Sequence, residues 1–321
     1  MLRQIFAVAG NTFTESLRQP IFLVLLLGGL LLLAFTPPLT GFTLEEDNKL
    51  LADLGLNTLF LAGLVLAAFT ATSAVTREIE NKTVLAVVSK PVHRATFIVG
   101  KYLGVTGALG VASWNWALAY LLAVRHGVLS TASTPIDWPV IESGCGAILL
   151  ATLFAAAANY LYSWSFSTVF TWTLSPLLFL AYLLILCHNK DWGVQPIGTD
   201  AQPQLYAAIV LCLLGLALLA AVAIAASTRL GPSLTLALCM GVFVLGLSSD
   251  YLFGRYAETS LLCRFLHAVV PNLQYFSLSD ALTQDAPISA NYVLHAAGYG
   301  LLYILALLGA AVALFQTREV G

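Results

Sequence analysis

The sequence predicts an all-α protein that crosses a membrane about eight times. Of its 321 residues, 59% are hydrophobic and 9% are charged, whereas a soluble domain carries roughly 25% charged residues. The apolar residues also fall into eight runs that approach the length of about 20 residues needed to cross a bilayer. No linker rich in Ser, Pro or Gly divides the chain. Together these features indicate one polytopic membrane domain over residues 1–321.

Eight apolar runs define the predicted spans. The gap at residues 163–165 between two of them carries no charge. It is therefore either an exposed turn between two full spans or a kink in a re-entrant hairpin. The predicted spans cover residues 20–35, 57–75, 97–124, 140–162, 166–187, 205–226, 232–249 and 291–315.

The basic residues predict which side of the membrane each loop occupies. With a cytoplasmic N-terminus, nine of the fourteen Lys and Arg residues and only four of the sixteen acidic residues fall on the inner side. Short cytoplasmic loops carry an excess of Lys and Arg. The distribution therefore predicts that both termini are cytoplasmic, which requires an even number of spans. We expect a multi-pass protein of the inner membrane of a bacterial cell.

Residues 1–19 predict an amphipathic helix before the first span. Apolar residues recur there at helical spacing, while polar residues fall largely on the other face. Such a helix lies along the membrane surface with its apolar face in the lipid. The alternative is that this segment extends the first span on its inner side. The apolar positions are Leu2, Ile5, Phe6, Ala9, Phe13 and Leu17.

Composition and missing motifs disfavour several functions. The formal charge of −2 argues against binding to nucleic acid. The sequence has no complete P-loop, no HExxH or GxSxG motif and no carboxylate pair inside a span. Ionisable residues deep in a span usually mark an ion or proton path, and here the charges cluster at span ends. We therefore expect no catalytic activity and no cofactor in this chain.

Residues 76–96, between the second and third spans, carry the strongest local pattern. A charged start is followed by an apolar patch at residues 84–88 and a Ser-Lys-Pro turn at 89–91. Proline lacks an amide hydrogen and should end the preceding helix. Exposed apolar patches usually mark an interaction site, so we interpret this segment as a docking surface. The alternative is a solvated loop whose positive charge only fixes the topology.

Polar residues inside the spans need hydrogen-bond partners, because lipid offers none. Asn115 and Trp116 lie at mid-depth of the third span, and Asn159 and Tyr160 lie near the inner end of the fourth. They either line a translocation path or form hydrogen bonds between helices. A stripe of small residues in the fourth span also permits close packing, within the chain or between two copies. The stripe comprises Gly144, Ala147, Ala151, Ala155 and Ala158.

The stretch REIENKTVLAVVSKPVHRATFIVGKYLG, residues 77–104, resembles the cytoplasmic loop of ABC-2 type transporter permeases. The resemblance rests on an acidic E-x-E pair, a threonine, an apolar helix, an S-[KR]-P-[VI]-x-R turn and an aromatic residue followed by G-K-[YF]-x-G. The matching positions are Glu78, Glu80, Thr83, Ser89, Lys90, Pro91, Arg94, Phe97, Gly100, Lys101 and Gly104.

The resemblance implies a function and partners. In that family the loop contacts a separate ATP-hydrolysing subunit, which binds the ATP. Two permease copies, two ATPase subunits and the surrounding membrane lipids are implied, in an exporter or in a device that passes force to an outer partner. The alternative is a secondary transporter or channel that works without an ATPase. The residues implied to couple to the ATPase are Glu78, Glu80, Thr83, Ser89, Lys90, Pro91 and Arg94.

The resemblance also implies a six-helix core. Residues 1–19 resemble the family's elbow helix. Residues 269–282, within the predicted outer loop at 250–290, resemble its last outer loop. Residues 135–204 depart from the pattern because they hold two spans beyond six, so we expect an inserted segment there. Duplication of a neighbouring hairpin is a possible origin, although the identity between the two pairs is slight. The fold predicted by resemblance is an ABC-2 type transmembrane domain with an added two-helix hairpin.

Overall fold

The described chain is helical throughout, as the sequence predicts. The structure is a computed structural model, and within the described residues it contains eleven α-helices and no β-strand. Side chains of residues 47 and 76–80 are outside the description, although their helical backbone is included. The described residues are 2–41, 47–80, 93–128, 136–278, 281–282 and 287–316.

The helices follow the predicted spans but extend beyond most of them. Pro20, Pro203 and Pro232 each occupy the first turn of a helix, where the missing amide hydrogen costs no intrahelical bond. The helices are α1 Leu2–Arg18, α2 Pro20–Thr40, α3 Asp47–Glu80, α4 Arg94–His126, α5 Trp138–Tyr162, α6 Phe166–Cys187, α7 Pro203–Ser227, α8 Pro232–Leu247, α9 Ser249–Leu252, α10 Leu261–Val269 and α11 Ala290–Gln316.

Seven of the helices in the described part of the chain are long and apolar enough to cross a membrane: α2 to α7 and α11. The predicted span at residues 232–249 differs, because the chain bends by 68° between α8 and α9. With 16 residues, α8 is roughly 24 Å long, shorter than a hydrocarbon core of about 30 Å. The count of eight spans therefore holds only if the bent pair is counted as one.

The core of the bundle lies where α3, α4 and α7 meet. Leu64 of α3, Val105 of α4 and Leu219 of α7 are each fully buried. The helices α2, α8 and α11 surround this centre, and the pair formed by α5 and α6 lies at the periphery on the side of α4. The outward faces of these peripheral helices carry exposed leucines, as expected for surfaces in contact with lipid.

The α5–α6 pair is a helical hairpin with two complete arms. Ser163 adopts the left-handed conformation with φ 54° and ends α5. Asn159 Nδ2 then donates a hydrogen bond of 2.6 Å to Trp164 O, which closes the turn. The small residues of α5 from Ala147 to Ala158 are buried against α6. The gap at 163–165 is therefore an exposed turn, and the small-residue stripe is a seam within the chain.

The chain dips back into the bundle between α10 and α11. The residues Leu273–Phe276 form a single 3₁₀ turn, and its two end residues are fully buried. A Cβ built on Gly215 would lie 2.9 Å from Phe276 Cβ. Gly215 is the midpoint of α7, so the turn reaches about half the depth of the bundle. The predicted outer loop at 250–290 thus contains a buried segment that composition alone did not indicate.

Both ends of the described chain lie at the same end of the bundle. Arg94, which begins α4, contacts Phe315 and Gln316 at the end of α11. Helix α1 packs along the first half of α4. This arrangement agrees with an even number of crossings. That this end faces the cytoplasm stays a prediction.

Candidate functional site

The predicted docking segment meets the bundle where α3 ends and α4 begins. Glu78 and Glu80 lie on the last turn of the α3 backbone, and their side chains are not described. Arg94 is the first residue of α4. The predicted helix and Ser-Lys-Pro turn lie outside the described residues, as do Thr83, Ser89, Lys90 and Pro91. Of the seven predicted coupling residues, only Arg94 therefore has a described environment.

Arg94 caps the last turn of α11. Its Nη1 donates hydrogen bonds of 3.1 Å to Phe315 O and 2.5 Å to Gln316 O. The last carbonyl groups of a helix lack intrahelical donors, and a cation is favourable at that end of the helix dipole. The guanidinium carbon also lies 5.8 Å from the centre of the Phe315 ring, within range of a cation–π interaction. A residue near the end of the docking segment thus holds α11.

A second guanidinium reaches the same helix end from another turn. Arg229, in the connection between α7 and α8, donates a hydrogen bond of 2.7 Å from Nη2 to Leu314 O. Three successive carbonyl groups of α11 are therefore bound by two arginines from separate connections. We call Arg94, Arg229 and the carbonyl groups of residues 314–316 the α11 clamp. The clamp joins the start of α4 and the α7–α8 connection to α11.

Aromatic and cationic side chains continue from the clamp into the bundle. Phe97 stacks on Phe315 with ring centres 5.5 Å apart and an interplanar angle of 16°. One turn further along α4, Lys101 is 2% exposed, and its Nζ lies 5.5 Å from the centre of the Phe97 ring. The contact of Arg94 with α11 therefore continues into a buried aromatic contact between α4 and α11.

Helix α1 lies in a groove formed by glycines of α4. A Cβ at Gly100 would lie 2.7 Å from Val8 Cβ, and a Cβ at Gly104 would lie 2.6 Å from Ala9 O. Only residues without a side chain allow two helices to approach this closely. The end of α1 is held by Ser167 of α6, whose Oγ donates a hydrogen bond of 2.6 Å to Leu17 O.

The exposed face of α1 carries the large apolar residues of its first turns. Leu2 is 72% and Phe6 68% exposed, whereas the face against α4 contains the buried Thr12 and Ser16. Two other residues of the predicted apolar face point toward the protein, because Leu17 is fully buried and the Phe13 ring lies 6.2 Å from that of Trp172. The predicted apolar face is therefore divided between the bundle and the outside. The position of α1 on the inner membrane surface stays a prediction.

The four residues proposed for a translocation path are in two different environments. Asn115 and Trp116 are fully buried. Asn115 Nδ2 donates a hydrogen bond of 2.9 Å to Ser175 Oγ of α6, and Trp116 Nε1 donates one of 2.9 Å to Leu26 O of α2. The side chains of both residues therefore join helices, which is the second of the two roles that the sequence allowed.

Asn159 and Tyr160 do not face the interior of this bundle. Tyr160 is 88% exposed, and Asn159 is exposed beside the α5–α6 turn, where it bonds to Trp164. Tyr162 and Trp164 are exposed at the same turn. Such amphipathic rings commonly occupy the boundary between lipid and water. Asn159 and Tyr160 therefore lie on the outer surface of this chain, and their place on a translocation path stays a prediction.

The Asn115–Ser175 contact gives a testable prediction. Replacing either residue with alanine removes the hydrogen bond, and a double-mutant cycle isolates its energy. We expect a coupling energy of about 0.6 kcal/mol and below about 1.7 kcal/mol, as for other hydrogen bonds between membrane helices. Reversible unfolding of the purified chain in detergent mixtures measures it. A coupling energy near zero would show that the two side chains do not stabilise the α4–α6 contact.

Sequence patterns missed Arg229 and Phe315 as parts of the clamp. Arg229 lies shortly after the predicted span at residues 205–226, and Phe315 is the last residue of the predicted span at 291–315. Their contacts join residues 85 and 221 positions apart. The one available signal is the arginine that follows the apolar run ending at residue 226, because cations often bind helix ends.

Comparison with protein families matches the largest part of this bundle. The family described as ABC-2 family transporter protein matches residues 25–230, which is more than half of the chain. The matched region extends from α2 through α7 and includes residues 135–204, which the sequence resemblance had set apart. No curated protein matches the chain. The match and the all-α polytopic fold agree, and we conclude that this chain belongs to the ABC-2 family of transporter proteins.

Proposed function

We propose that the chain is the membrane subunit of an ATP-driven exporter and receives work from a separate ATPase through residues 76–96. Its family membership supports a permease of an ABC-type transporter, and its long apolar helices support a multi-pass membrane protein. ABC-2 permeases in general work with an ABC ATPase. Two permease copies, each with one ATPase subunit, would form the complete transporter in the inner membrane of a bacterium. ATP is bound by the partner, and this chain supplies no catalytic residue.

The observation that carries the proposal is the α11 clamp. Arg94 lies near the end of the docking segment and binds the last carbonyl groups of α11. A movement of the segment would therefore act on α4 directly and on α11 through two hydrogen bonds. The same movement would reach α7 and α8 through Arg229. At the other end of the segment, Glu78 and Glu80 lie on the last turn of α3 and connect the segment to that helix.

Arg94→Glu tests this proposal directly. The substitution places a carboxylate against the carbonyl groups of Phe315 and Gln316 at the negative end of the α11 dipole, so the clamp should open. We expect the stability of the chain to fall by about 1–3 kcal/mol, the usual cost of losing hydrogen bonds to a charged group. Stimulation of a co-expressed ABC ATPase, reconstituted with the permease in vesicles, should fall at least about tenfold.

Two control variants and one further test variant separate coupling from folding. Arg3→Glu changes an exposed basic residue of α1 and should leave both stability and ATPase stimulation unchanged. Arg94→Lys keeps the charge and should retain part of the stimulation. Glu80→Lys should reduce co-purification of the ATPase. If the Arg94→Glu variant stimulates the ATPase as strongly as the unchanged chain does, residues 76–96 are not the coupling element.

Transport without any ATPase would contradict the whole proposal. Vesicles that contain the permease alone should show no substrate movement when ATP is added inside or outside. A flux that depends on an ion gradient and not on the ATPase would favour a secondary transporter or channel.

A further inference from the structure

Arg125 organises the opposite end of the bundle, where α4, α5, α6 and α7 have their predicted outer ends. Its Nη1 lies 3.1 Å from Asp200 Oδ2, and its Nε lies 3.8 Å from Asp137 Oδ2. Its Nη2 donates a hydrogen bond of 3.1 Å to His188 O at the end of α6. Asp137 in turn caps α5 by accepting a hydrogen bond from Val140 N. Arg125 is thus fixed in position by three elements.

Two cavities meet at this arginine. A cavity of about 290 Å³ lies between α4, α6 and α7. A second cavity of about 500 Å³ lies between α3, α4, α7 and the connection that precedes α7. Val124, Arg125, Gln202 and Leu205 line both. Together the two have the size of an ordinary ligand site, and they belong to neither the α11 clamp nor the coupling segment.

The larger cavity is basic on its polar side. Lys49, Arg125 and Lys190 line it, and no carboxylate does among the described residues. Lys190 is partly buried although it lies on a connecting segment, and it forms no ion pair within the described part of the chain. Gln204 Oε1 accepts a hydrogen bond from Ile288 N, which leaves its amide hydrogens available. The cavity therefore offers several hydrogen-bond donors and positive charges.

The opposite wall of the same cavity is apolar. Leu51, Ala52, Val124, Leu205 and Leu282 form it. A small inorganic anion would leave this wall without a partner, whereas an amphiphile would contact both walls. The site also lies where the transmembrane helices end, which is the depth of lipid head groups in a bilayer. A phosphate group bound to an apolar chain fits both the charge and the position.

We propose that this cavity binds the phosphate of an anionic amphiphile, with Lys190 as the charged group that recognises it and Arg125, which is held by Asp137, Asp200 and His188 O, as a fixed part of the wall beside it. The phosphate contacts the basic wall, and the attached apolar chain lies along Leu51 and Leu205. A phosphodiester that carries choline is disfavoured, because its quaternary ammonium would face Lys190. This inference does not depend on the proposed ATPase coupling.

Binding of defined lipids tests the proposal. The purified full-length chain in detergent is titrated with fluorescent phosphatidylglycerol, phosphatidylcholine and inorganic phosphate. We expect phosphatidylglycerol to bind at least about tenfold more tightly than the other two. Lys190→Gln should weaken that binding about tenfold, since it removes one charged partner, and Lys190→Arg should preserve it. Arg255→Gln, an exposed cation outside both cavities, should have no effect.

Thermal melting of each variant shows that the change is in binding and not in folding. Equal binding of phosphatidylglycerol and phosphatidylcholine would overturn the proposal. The proposal would also be overturned if Lys190→Gln and Arg255→Gln weakened phosphatidylglycerol binding equally. Inorganic phosphate binding as tightly as phosphatidylglycerol would assign the site to a free anion and overturn the role of the apolar wall.

Discussion

Arg125→Met is expected to lower the free energy of unfolding by about 3–5 kcal/mol, the cost of removing one partner of a buried ion pair. The Arg125 side chain is 13% exposed and that of Asp137 is 1% exposed. Methionine has a similar volume and an apolar end, so the main loss is the charge. Asp137 would remain in the interior without a counter-ion, and His188 O would lose its donor. Reversible unfolding of the purified chain in detergent mixtures measures the difference.

Two further variants identify the cause. Arg125→Met combined with Asp137→Asn removes both charges and should recover part of the lost stability, because the uncompensated carboxylate is gone. Arg255→Met changes an exposed arginine at the same end of the bundle and should alter stability by less than about 0.5 kcal/mol. If Arg125→Met and Arg255→Met are equally stable, the Arg125 ion pairs do not hold the outer ends of these helices together.

Gly104→Val is expected to release α1 from the bundle. A Cβ at this position would lie 2.6 Å from Ala9 O and 3.0 Å from Phe13 N. Both atoms belong to the α1 backbone, so no side-chain rotation relieves the overlap. Overpacking of this kind costs typically 1–3 kcal/mol. Amide hydrogen exchange, followed by mass spectrometry over residues 2–18, should become faster in α1 and stay unchanged in α7.

The same helix provides a matched control for this substitution. A Cβ at Gly110 meets nothing within 4 Å, so Gly110→Val changes the same residue type on α4 without an overlap. Exchange in α1 should then remain slow. Equally fast exchange in the two variants would show that the change in helix propensity, and not the contact at Gly104, loosens α1.

Hydropathy and proline placement predicted most of the fold. The long helices follow the predicted spans because lipid exposure requires apolar residues along most of their length, although α3 begins at Asp47, well before residue 57. The length of α8 could not be predicted in this way. The predicted span continues through Ser248 and Ser249, whereas α8 ends at Leu247. Beside this end, Leu273 Cγ lies 2.7 Å from the position of a Cβ at Gly246.

The candidate site was predictable only where its pattern is local. The acidic pair, the proline turn and Arg94 occur within 17 positions of the sequence, and their spacing carries the family resemblance. Arg94 binds the backbone carbonyl groups of residues 315 and 316. Every residue has such a group, so the residue type does not reveal which carbonyl groups Arg94 binds. The exposure of Tyr160 could not be predicted either, because it depends on the direction of the α5–α6 turn and not on the residue type.

The turn at Leu273–Phe276 places a residue that belongs to neither helix between α7 and α11. The Phe276 Cβ lies 2.9 Å from the position of a Cβ at Gly215 of α7, and the tip of its ring lies 3.0 Å from that of a Cβ at Gly300 of α11. Two hydrogen bonds tie this segment to α11, because Asn272 N donates to Tyr299 Oη and Tyr292 Oη donates to Tyr275 O. The connection between α10 and α11 therefore acts as a spacer that sets the separation of two long helices near the middle of the bundle.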